Sequence, residues 1–65
     1  MNWNEQNILA EKGFTVCDPF YAVDGDGRQV FFDLTKPLRY LLQSYGRIHS
    51  FGSFDKLKTF LEDND

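Results

Sequence analysis

A single cysteine, Cys17, in a chain of 65 residues rules out an intramolecular disulfide, and this restricts what the chain can become more than any motif in it. A domain of this length buries only about 60% of the surface its unfolded chain exposes, and small folds with so little core are commonly stapled by disulfides or metals. Here packing, or a partner, must hold the fold. Seven Phe, three Tyr and one Trp supply the means, because large rings bury the most apolar area for each residue ordered. The same content predicts a folded single domain over residues 1–65 and not a disordered tail. An unpaired thiol points to the cytoplasm, where cysteines stay reduced.

Ten acidic and seven basic residues give a net charge of −3 and a pI of about 4.9. Proteins that bind nucleic acid through its phosphates carry basic patches, since neutralising phosphates and releasing counterions supplies most of that affinity. Direct nucleic-acid binding is therefore not expected. The terminal "EDND" reads as a solvated acidic end. No run approaches the ~18 apolar residues of a membrane span. The start "MNWNEQNILAEKGF" lacks the basic residues and apolar run of a signal peptide. The expectation is a soluble, unprocessed chain with no membrane partner.

The segment "NEQNILAEKG" predicts a helix over residues 4–12, with Asn4 placed to cap it, Gly13 placed to end it in a left-handed conformation, and Ile8, Leu9 and Trp3 to pack it. "FTVCDPFYAV" reads as extended, with Pro19 marking an edge strand or a bulge. After "DGDG", the run "RQVFFDL" alternates, Val30, Phe32 and Leu34 on one side and Gln29, Phe31 and Asp33 on the other. These two runs predict a β-hairpin across residues 14–34.

Beyond it, Leu38, Leu41, Leu42 and Tyr45 recur at helical spacing, Thr35 can cap and Pro37 suits a first turn, which predicts a helix over 36–45. Gly46 ends it, "RIHSF" is long enough for a third strand, and Ser53 caps a last helix over 54–62 carrying Phe54, Leu57, Phe60 and Leu61. The fold expected is α+β in the order α-β-β-α-β-α, a two- or three-stranded antiparallel sheet packed against helices.

"YAVDGDGRQVFFD" is the stretch most like a signature. A calcium loop starting at Asp24 would need oxygen ligands at its fifth and twelfth positions and glycine at its sixth. Arg28, Thr35 and Gln29 stand there instead. Asp and Gly are also the residues that tight turns select, so Asp24 and Asp26 are read as turning the chain. Cys17, Asp18 and His49 are the residue types of a thiol catalyst, but nothing in their spacing brings thiol and base together. One Cys and one His, 32 positions apart, do not make a zinc set either. "GDG" lies between strands, whereas a phosphate cradle should lead into a helix. No cofactor and no metal is expected.

If the helices cover the sheet face bearing Phe14, Val16, Val30, Phe32 and Ile48, alternation sends Cys17, Tyr21, Phe31, Arg47 and His49 to the other. An uncovered aromatic face would serve dimerisation, docking of a protein partner, or stacking of unpaired bases. The last is least favoured, because the chain is acidic and "RQVFFD" resembles an RNA-stacking strand only faintly. The function expected is a non-enzymatic protein-interaction module with a protein partner or as a homodimer. Its contact residues would be Tyr21, Phe31, Arg47 and His49, with Arg39 and Tyr40 on the helix flank. Two alternatives stand beside it. In length and acidity the chain is similar to small inhibitory proteins of phages, and Asp24, Asp26, Asp33, Asp55, Glu62, Asp63 and Asp65 could mimic nucleic acid in the basic groove of a nucleic-acid-handling protein. The other is a small thiol enzyme using Cys17.

Overall fold

Nine residues, Trp3–Glu11, form helix α1 in the computed structural model, which describes residues 1–63. A capping box starts it: Asn2 Oδ1 accepts the Glu5 N–H at 2.8 Å, and Glu5 Oε1 accepts the Asn2 N–H at 3.3 Å. The cap is thus Asn2, not the expected Asn4, because only Asn2 has a carboxylate three residues on. Gly13 follows the helix at φ +93°, a conformation that a Cβ disfavours. Leu9 is fully buried and Ile8 packs beside it, whereas Trp3 is 78% exposed and holds nothing down.

Five strands follow: β1 (Phe14–Asp18), β2 (Tyr21–Asp24), β3 (Gln29–Phe32), β4 (Tyr40–Ser44) and β5 (Arg47–Phe51). Each pairs antiparallel with the next, giving one sheet in the order β1-β2-β3-β4-β5. A meander of this kind is what short, locally chosen turns produce. Asp18 Oδ1 accepts the Phe20 N–H at 2.7 Å beside Pro19, and the register slips between Val16 and Asp18, so Cys17 is the bulged residue. The N-terminal ammonium donates to the Pro19 carbonyl at 2.6 Å and ties the chain's start to this turn. Between β2 and β3, the Asp24 carbonyl accepts the Gly27 N–H at 3.2 Å and Gly27 takes φ +87°, a three-residue loop with its glycine where the chain must turn left-handed.

The sheet has five strands where two or three were expected, and the difference has two sources: the run "FTVCDPFYAV", expected as one strand of the 14–34 hairpin, folds back at Pro19 into β1 and β2, and residues 36–45, expected as a helix, supply β4. No helix forms over 36–45. Thr35 donates through both N–H and hydroxyl to Asp33 Oδ1, and the Asp33 N–H donates to the Arg39 carbonyl at 2.8 Å, closing a loop that releases the chain into β4. The helical spacing of Leu38, Leu41, Leu42 and Tyr45 is accidental: Leu38 and Tyr45 are 50% and 80% exposed, while Tyr40 and Leu42 are buried with period two. Tyr45 and Gly46, at φ +51° and +80°, form a two-residue hairpin turn whose twist matches its strands. Tertiary burial overrides the local helical pattern.

Ser53 Oγ accepts the Lys56 N–H at 3.4 Å at the start of helix α2 (Phe54–Asp63), close to the expected 54–62. Phe54, Leu57 and Leu61 of α2 join Leu9 of α1 against Phe14, Ala22, Val30, Tyr40 and Leu42, so both helices cover the same side of the sheet. Lys12 beyond α1 and Glu62 on α2 approach to 4.0 Å. No helix among the described residues is long and apolar enough to cross a membrane.

Candidate protein-contact face

Strand registers assign every side chain to a face. The row Val16, Ala22, Val30, Leu42, His49 and the row Phe32, Tyr40, Phe51 lie under the helices. The alternate rows, Asp18, Tyr21, Phe31, Leu41, Ser50 and Thr15, Val23, Gln29, Gln43, Ile48, lie on the side that neither helix covers. That side carries an apolar strip: the Tyr21 and Phe31 rings lie with centroids 5.2 Å apart, and Leu41 is the next cross-strand neighbour. Towards one end the strip opens into a shallow groove of about 610 Å³, lined by Phe20, Tyr21, Phe31, Leu34 and Leu41 among others. Phe20 and Leu34 there are 51% and 57% exposed.

Of the six residues expected at a contact, the structure brings Tyr21 and Phe31 together on this face. Arg47 and His49 belong to the opposite side, because His49 pairs with Leu42 and Arg47 with Ser44. The His49 ring packs on Phe60 of α2 with centroids 4.6 Å apart. Ile48, expected under the helices, is 69% exposed on the open side. A one-residue change of parity in β5 exchanges all three. Arg39 is exposed in the loop before β4, and no helix flank exists there to carry it.

Tyr40 is a core residue. Its ring contacts Phe32 and Phe54, and its hydroxyl lies 3.1 and 3.2 Å from the two Glu5 carboxylate oxygens. Burial, then the hydrogen bond and charge of Glu5, push its phenol up to about 12. Sequence reasoning missed Leu41 and Val23 as face residues, since the first was absorbed into the helical stripe. The sequence carried no signal for them: Tyr40, Leu41 and Leu42 form a continuous apolar run, which fits a buried strand and a helix segment alike.

The Gly/Asp loop is accounted for by turn chemistry. Asp24 Oδ1 accepts the N–H groups of Asp26 and Arg28 at 3.0 and 2.7 Å, and its Oδ2 pairs with the Arg28 guanidinium. Burial raises the Asp24 carboxyl, but the hydrogen bonds and charge of Arg28 outweigh it and hold the group below the usual carboxylate range. Thr35 bonds, through side chain and backbone, lower Asp33 likewise. Among the described residues no three of His, Cys, Asp and Glu come together as a metal-ligand set. Cys17 on β1 and His49 on β5 stand at opposite edges of the sheet, about 19 Å apart at the ~4.8 Å strand spacing. A thiol and an imidazole so placed cannot exchange a proton directly.

The acidic residues are likewise dispersed. Asp24 ends β2, Asp26 and Asp33 sit in two loops, and Asp55, Glu62 and Asp63 lie on α2, with Asp24 committed to Arg28. Asp65 lies outside the described residues. No family model, no curated protein and no solved structure matches this chain.

Proposed function

We propose that this chain is a non-enzymatic protein-interaction module that meets a partner protein with the uncovered face of its sheet. The observation that carries this reading is the placement of both helices on one side, leaving Tyr21, Phe31, Leu41 and Val23 without a covering layer among the described residues. An antiparallel sheet facing water normally alternates apolar and polar residues, hydrophobic in and polar out. Here the central row of the outer face is apolar as well. Aromatic rings flanked by glutamines, Gln29 and Gln43, match the make-up of a contact surface with an apolar centre and a polar rim.

Affinity from such a face comes from apolar burial, so it resists salt, whereas contacts made by exposed carboxylates weaken as ions screen them. The test is capture by the tagged full chain from lysate at low and raised salt, repeated with Phe31→Asp. A partner retained at raised salt and lost with Phe31→Asp, while far-ultraviolet circular dichroism stays unchanged, supports the reading. A Phe31→Asp chain that keeps both its fold and its partner overturns it.

A further inference from the structure

We propose that the outer edge of β5 pairs antiparallel with the same edge of a second copy of this chain, joining two five-stranded sheets into one of ten strands. The two ends of the sheet are unequal. At β1 the register slips at Cys17 and Pro19 follows in the turn, devices that blunt an edge against pairing. At β5 the register with β4 is unbroken over five pairs, Ser44 with Arg47 to Tyr40 with Phe51, without bulge or proline. An exposed edge of that regularity is a template for another strand.

The hairpin turn decides which backbone groups are free to pair. Because Tyr45 and Gly46 form a two-residue loop, Arg47, His49 and Phe51 exchange hydrogen bonds with β4. Ile48 and Ser50 therefore point their N–H and carbonyl groups outward. A two-fold axis midway between His49 and the second copy's His49 sets Ile48 against Ser50 of the second copy, and four hydrogen bonds close across the junction. It also sets Arg47 against the second copy's Phe51, keeping like charges apart and placing a guanidinium beside a ring.

A second feature fits the same occupant. A groove of about 490 Å³ runs beside this edge on the helix side, lined by Phe51, Thr59 and Phe60 with Asp55, Lys56 and Asp63 at its margin. The two-fold axis lies perpendicular to the sheet, so α2 of the second copy falls on the same side of the joined sheet and runs oppositely. Since a blunted β1 offers no match for β5, pairing closes at two copies and does not propagate as a filament. Both uncovered faces then look the same way, which makes the dimer a bivalent platform; that consequence alone rests on the function proposed above.

The test is the solution mass of the full chain by light scattering as concentration rises, with three variants. The native chain is expected to reach twice its 7.6 kDa mass. Ser50→Pro removes an outward N–H that β4 does not use, a position where an edge strand tolerates proline. It is expected to raise the dimer dissociation constant at least ~10-fold with an unchanged circular dichroism spectrum. Ile48→Lys, which charges the edge, is expected to weaken the dimer as well, and Phe31→Asp to leave it intact. A native chain that stays monomeric throughout overturns the proposal. So does a dimer that survives Ser50→Pro and Ile48→Lys, or one that only Phe31→Asp dissolves, which would assign self-association to the open face.

Discussion

Tyr40 joins three elements through one side chain: its ring packs between Phe32 of β3 and Phe54 of α2, and its hydroxyl reaches Glu5 of α1. Tyr40→Phe keeps the ring contacts and removes only the hydrogen bonds. A loss of ~1 kcal/mol is expected, read from the denaturant midpoint. The phenol's value near 12 also sets a pH dependence. Folding favours the protonated form, so this stabilisation is complete below about pH 10, the unfolded value, and is lost as pH rises towards 12. Denaturant unfolding at pH 9 and pH 11 should show stability falling in the native chain and falling less in Tyr40→Phe. Asp24 has the opposite sign. Its lowered carboxyl contributes stability above the ordinary range near pH 4, lost as pH falls through the folded value. Asp24→Ala leaves the N–H groups of Asp26 and Arg28 without their acceptor, so ~1–3 kcal/mol is expected to go, and the acid limb of the stability profile to flatten.

The hairpin formed by β4 and β5 is the element that sequence periodicity misassigned, and its turn offers a direct check. Tyr45 holds φ +51° while 80% of it is exposed, so its ring contributes little packing in exchange for a strained backbone. Tyr45→Asn places before Gly46 the residue that such turns prefer, and a gain of ~0.5–1 kcal/mol is expected from chemical denaturation. A helix over 36–45 would predict no such gain, since tyrosine and asparagine are near-equal helix formers. The two outer helices were legible because their caps and their apolar stripes agree: Ser53 with Phe54, Leu57 and Leu61, and Gly13 after Leu9. Residues 36–45 were not. There a four-residue coincidence at helical spacing competed with a continuous apolar run, Tyr40 to Leu42, that a strand and a helix fit alike, and local pattern cannot arbitrate between them.

At the scale of the whole molecule, the charged residues are spread over both helices, the strand ends and the loops, whereas the apolar strip is gathered on one face. Salt therefore separates the two kinds of association such a molecule can make. Complexes formed through the strip or through the β5 edge are expected to persist when ionic strength is raised, as measured by light scattering at low and high salt. A complex that dissolves steeply with salt would return attention to the carboxylates. Within the contact face, Tyr21 and Phe31 were legible because the Gly/Asp turn sets the register of β2 and β3 locally. Arg47, His49 and Ile48 were not, because the parity of β5 is inherited from β4 through a turn that had been read as a helix end. By itself the sequence determined what acts over a few residues: the absence of an intramolecular disulfide, the end of α1 at Gly13 and the start of α2 at Ser53, the turn chemistry of Asp24 to Gly27, and an α+β composition. Only the tertiary structure decided the number of strands, the face on which each β5 side chain falls, and which side of the sheet the helices leave uncovered. Those depend on pairings between strands and on a shared core, and a short apolar run has no period strong enough to fix them until its neighbours are in place.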